Sequence, residues 1–115
     1  MNKPGIVTAI PKRRYTYGEF TVVVLGEVES SDAVDYRYIA AVVRGQDPEP
    51  GLYVTAEQGG AHQGASCDMR VVMRDGSQVV GTSERWNDLE AFTTEALAII
   101  ARILNLGDEM PYRLM

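Results

Sequence analysis

At 115 residues, 45% of them hydrophobic and 23% charged, the chain has the composition of a single globular domain, and neither a fibrous repeat nor intrinsic disorder fits it. Its net charge of −5 argues against a protein whose main business is nucleic acid, because neutralised phosphates supply most of such affinity. No apolar run approaches the roughly 20 residues needed to span a bilayer, residues 1–14 lack the apolar stretch of a signal peptide, and a lone cysteine, Cys67, permits neither an intrachain disulfide nor a Cys-rich metal site.

In chain order, residues 5–15 favour a strand through Ile6, Val7, Thr8, Ala9 and Ile10, with Pro11 marking an edge or a bulge because it cannot donate to a ladder. Residues 19–29 read as the central strand, with Phe20, Val22 and Val24 on one face and Val23 and Leu25 on the other. A tight turn at Tyr17-Gly18 sets Tyr15 opposite Phe20 and Arg13 opposite Val22, which brings an arginine to the core side. A bulge at Pro11, or a buried stem with its charged head in water, resolves that conflict. Residues 35–44 alternate again, with Tyr36, Tyr38, Ala40 and Val42 expected on one face. Two prolines and two glycines make residues 45–51 a loop.

A short strand over residues 52–57 leads into a glycine-rich loop, residues 58–68. The clearest local element is a hairpin of residues 69–74 and 78–84 about Asp75-Gly76, which pairs Val72 with Val79 and Val71 with Val80. Met69, Val71 and Met73 then share a face with Val80. From Asn87 to Gly107 the pattern changes to helical: Leu89, Phe92, Ala96, Ile99, Ile100 and Ile103 recur at three- and four-residue steps. Asn87 is the expected amino-terminal cap, with Glu90 reaching back, Trp86 is a candidate staple, and Gly107 is the expected left-handed stop. The tail, with Met110, Tyr112, Leu114 and Met115, is too apolar to lie free and is expected over the sheet or against a second subunit.

A run of strands followed by one helix predicts an α+β domain: a mainly antiparallel meander of about six strands with the carboxyl-terminal helix across one face. Six strands span roughly 24 Å, whereas a helix with its side chains covers about 10–12 Å. Curvature, loops, the tail or a second copy must cover the remainder, so a homodimer or another protein partner is expected.

Three clusters carry possible chemistry. His62, Cys67 and Asp68 combine a thiol, an imidazole and a carboxylate, the elements of an activated nucleophile in a thiol-dependent enzyme or redox-sensitive protein; the loop around them matches neither a phosphate-binding fingerprint nor a zinc spacing. Lys12, Arg13 and Arg14 with Tyr15 and Tyr17 join cations to rings, as a platform for single-stranded nucleic acid does. The first 18 residues hold four cations and no carboxylate, and the rest hold seven cations and all 16 carboxylates. Cations and proline are also how an edge strand is defended against unwanted pairing. Finally, Tyr36, Tyr38 and Tyr53 are expected to line one side of the sheet, with Arg37 or Arg44 at the rim for an anionic ligand. None of these converges on a catalytic set, so the expected function is a non-catalytic binding or interaction module, cytoplasmic, without a metal or cofactor.

Overall fold

Seven antiparallel strands and one helix build the protein in a computed structural model that describes residues 3–58 and 66–115. The strands are β1 (Ile6–Tyr17), β2 (Phe20–Ser30), β3 (Asp35–Arg44), β4 (Leu52–Gln58), β5 (Cys67–Met73), β6 (Gly76–Ser83) and β7 (Tyr112–Arg113), and the helix α1 spans Leu89–Leu104. They form one sheet in the order β6-β5-β4-β3-β2-β1-β7. The first six strands are therefore a meander, each lying beside its sequence neighbour. The seventh, unexpected from its sequence, brings the tail back to the far edge of β1.

Helix α1 forms because its apolar residues repeat at helical spacing, and it is capped one residue later and two residues earlier than expected. Asp88 Oδ2, not Asn87, accepts from Ala91 N–H at 2.9 Å. At the other end Asn105, at φ 57°, takes the left-handed position expected of Gly107; asparagine tolerates that conformation better than most residues. Asn87 instead closes a 3₁₀ turn, Glu84–Asn87, whose Trp86 is buried beneath the helix entrance, with the Arg85 guanidinium 5.4 Å from its ring centre. Phe92, Ala96, Ile99 and Ile100 then face Val22, Val24, Ala40, Val42, Val54, Met69 and Val71 across the sheet. Phe92 is fully buried, its ring stacked on Tyr38 at 5.5 Å between centres.

The reverse face closes without a helix. Tyr36, Ile39, Ala41, Tyr53 and Val72 form a second buried cluster, packed by Ile6, Leu25, Val28 and Val34 from the long β1–β2 hairpin and the turn after it. Three register shifts along β1, between Ile6 and Thr8, Thr8 and Ile10, and Pro11 and Arg13, supply the bending that brings this hairpin over, since each extra residue tightens local twist. The chain entering β1 is tied to the loops at both ends of β3: Gly5 N–H donates to Asp32 Oδ2 at 3.0 Å, and Lys3 pairs with Glu49 of the β3–β4 loop at 3.6 Å. Curvature and loops, two of the expected means, thus cover apolar surface that the helix is too narrow to reach.

Both hairpin registers differ from the expected ones. The first turn is Gly18-Glu19, so Tyr17 pairs with Phe20 and Tyr15 with Val22; the glycine holds φ 60°, a conformation that suits it. The second turn is Arg74-Asp75, so Val72 pairs with Ser77 and Val71 with Gln78. Because Gln78 pairs with Val71, Val80 two residues on falls on the helix side all the same, where it lines a groove with Val71 and Met73.

Candidate functional site

The thiol reading loses its geometry first. Cys67 is the first residue of β5 and not part of the preceding loop, and its side chain is 0% exposed on the helix side. Its Sγ lies 3.5 Å from Asn87 Oδ1. Burial pushes the thiol above its ordinary range; Arg37 opposes this, and Asp35 and Asp68 add to it. A nucleophilic cysteine needs the reverse shift and access to its target. Asp68 follows Cys67 in an extended strand and so points to the opposite face, where it accepts from Thr82 Oγ1 at 2.7 Å. His62 lies outside the described residues. Among the described residues no three His, Cys, Asp or Glu side chains cluster as metal ligands, and no helix is long and apolar enough to cross a membrane.

The basic stretch is largely occupied within the fold. Lys12 Nζ meets Glu27 Oε2 at 2.5 Å, and Arg13 Nη2 meets Glu90 Oε1 of α1 at 2.6 Å. Arg13 sits opposite the buried Val24 after the shift at Pro11, so the bulge leaves it on the core side; its stem crosses that side, and its head meets Glu90 of the helix and the Lys12 carbonyl in place of the water expected. Arg14 stays exposed, and its carbonyl accepts from Leu114 N–H at 2.7 Å. Tyr15 and Tyr17 are buried in the helix-side core, where their rings pack and present no stacking platform.

The three strand tyrosines do not share a face. A register shift between Tyr36 and Tyr38 turns Tyr36 to the reverse side with Tyr53, while Tyr38 stacks under α1. Tyr36 O–H donates to Asp32 Oδ2 at 2.7 Å. Burial raises the Tyr36 hydroxyl above its usual range, and the Asp32 bond adds to the rise. Burial also pushes Asp32 upward, but hydrogen bonds from Gly5 N–H, Tyr36 O–H and Val34 N–H outweigh it and bring the carboxyl down to about 2. Of the two rim arginines, Arg37 reaches Asn87 Oδ1 at 3.0 Å and Gln58 Oε1 at 3.1 Å, whereas Arg44 pairs with Glu19 at 2.9 Å at the other end of β3. No anion pocket is assembled from them among the described residues.

What the sequence reading missed is a groove where the sheet extends past the helix. The β5–β6 hairpin projects beyond α1, and the space between them, about 530 Å³, is bounded by Val71, Met73 and Val80 on the sheet and by Ile99 and Ile103 on the helix. Val80 remains 48% exposed and Ile103 37%. Arg102, Asp75, Ser77 and Gln78 supply its polar rim. Ile103 in the last turn of α1 and Val80 on the terminal strand β6 both belong by spacing to the covered face, and only their exposure in the fold reveals the groove. A second depression, about 610 Å³ on the other flank of α1, is lined by Gly18, Glu19, Phe20, Arg44, Leu104, Leu106 and Glu109, and its arginine is already paired with Glu19.

Comparison with known proteins yields no matching family model, no matching curated protein and no matching solved structure. Geometry alone carries the functional reading.

Proposed function

We propose that the protein is a non-catalytic binding and interaction module that works as a homodimer joined at the β1–β7 edge. The observation that carries this reading is where apolar side chains remain in water. Val7 and Ile10 of β1 and Met110, Tyr112, Leu114 and Met115 of the tail are all exposed, Met110 by 83% and Tyr112 by 69%. They gather at one end of the strand order, where β7 pairs with β1 only through Tyr15–Arg113 and Thr16–Tyr112. A two-residue strand is far shorter than the ordinary strand of about five or six residues, and its outer backbone groups are free to pair with another chain. A second copy presenting the same tail covers this surface in an isologous contact. Burial of the Cys67 thiol and the core positions of Tyr15 and Tyr17 leave the thiol and nucleic-acid readings with less support.

Light scattering on a sizing column, run from dilute to concentrated protein, tests the reading. A twofold mass is expected, with the double variant Tyr112→Ser, Leu114→Ser shifted to monomer while its far-ultraviolet spectrum stays unchanged. A strict monomer at high concentration defeats the homodimer.

A further inference from the structure

The groove between the β5–β6 hairpin and α1 lies at the opposite end of the strand order from the edge assigned to dimerisation. We propose that it is a binding site for a small apolar carboxylate, an amphiphile whose hydrocarbon body lies between the hairpin and the helix and whose anionic head meets Arg102. Size comes first: about 530 Å³ falls within the range of roughly 300–1,000 Å³ typical of small-molecule sites. The chemistry of the walls follows. Val71, Met73, Val80, Ile99 and Ile103 offer aliphatic surface and one flexible thioether, a lining that admits chains of differing shape.

Charge decides the head group. Ile99, Arg102 and Ile103 fall on one flank of α1 at three- and four-residue steps, so the guanidinium is delivered to the lip of the apolar strip. Arg102 takes part in no ion pair among the described residues, in contrast to Arg13, Arg44 and Arg70, each of which meets a carboxylate. A planar guanidinium matches a carboxylate through two parallel hydrogen bonds. Asp75 lies on the same rim and disfavours an anion near the hairpin turn, so the head is steered toward the helix. Gln78 is a neutral donor on the same rim, while the Ser77 hydroxyl accepts from Arg70 Nη1 on the other face of the sheet.

The test is calorimetric titration of the full chain with decanoate, octanoate and decanol, alongside heteronuclear chemical-shift mapping. Decanoate should saturate at one per chain, and the two methylenes lost in octanoate should weaken binding by up to roughly fifteenfold. Decanol and the variant Arg102→Gln with decanoate should each bind about two- to fivefold more weakly than the wild type with decanoate. Asp75→Asn, which removes the like charge, should tighten decanoate and leave decanol unchanged. Val80→Ser, at an exposed position that does not threaten the fold, should weaken both. The proposal is overturned if decanoate does not saturate, if chain length has no effect, if decanol equals decanoate, or if Arg102→Gln and Asp75→Asn leave decanoate binding where it was. Light scattering on the same samples reads the dimer separately, so either idea can fail alone.

Discussion

Phe92→Ala is the perturbation that most directly tests how the helix is seated. The side chain is 0% exposed, it stacks on Tyr38 at 5.5 Å, and it lies in the cluster that joins α1 to five of the strands. Truncating a buried phenylalanine costs about 3–5 kcal/mol, through lost transfer energy and the cavity left behind, and the aromatic pair adds about 0.5–1.5 kcal/mol. A chain of 115 residues has a total stability of roughly 6–17 kcal/mol, so the variant folds with much of its margin gone. Its unfolding entropy is about 0.24 kcal/mol per kelvin, so a loss of about 4 kcal/mol lowers Tm by roughly 16 °C. Urea unfolding followed by circular dichroism and by Trp86 fluorescence measures the loss, and both probes should report one transition with an unchanged slope. Ile103→Ala, on the half-open wall of the groove, should cost about 1 kcal/mol or less. A Phe92→Ala loss below about 1 kcal/mol, or equal losses for the two variants, refutes the packing of α1 on the sheet described here.

Native Cys67 should resist iodoacetamide by at least a hundredfold relative to the urea-unfolded chain, because burial both hides the thiol and raises its pKa; a native rate within tenfold of the unfolded rate revives the thiol reading. Asp32→Asn should destabilise the protein at pH 7 by on the order of 1 kcal/mol, a figure already discounted for the solvent exposure of Asp32. Since the folded carboxyl is held down at about 2 against an ordinary 3.8, its stabilisation is complete above about pH 4 and is lost as pH falls toward 2. The melting curves of the wild type and of the Asp32→Asn variant should therefore converge in acid, and a gap that persists at pH 2 assigns the loss to packing and not to charge.

The helix and the antiparallel, meander-like class of the sheet were legible because both rest on local spacing. Ile99, Ile100 and Ile103 can satisfy only one geometry, and Val22, Val24, Ala40 and Val42 alternate without interruption. What the spacing did not disclose were the places where one extra residue enters a ladder. The shift beside Tyr36 sends that ring to the reverse face, and nothing in DYRY distinguishes it from an unbroken strand. The two turns were misplaced for a related reason: glycine marks a turn but not its position within it, and Gly18 opens one turn while Gly76, at φ 142°, follows the other. Closure of the reverse face was beyond reach because Lys3 and Glu49 lie 46 positions apart in sequence. The groove was not legible, because the spacing assigns both Val80 and Ile103 to the covered face between sheet and helix.

The unbroken meander has a consequence for the growing polypeptide. From β2 to β6 each new strand leaving the ribosome finds its ladder partner in the strand just made, so pairing among these six never waits for a distant segment, and short closures of that kind are quick. The helix and the short β7 arrive late, after six strands already display a wet apolar side. During that interval the half-built sheet is an adhesive surface, and the speed with which Leu89–Leu104 folds down onto it sets how long nascent chains can adhere to one another.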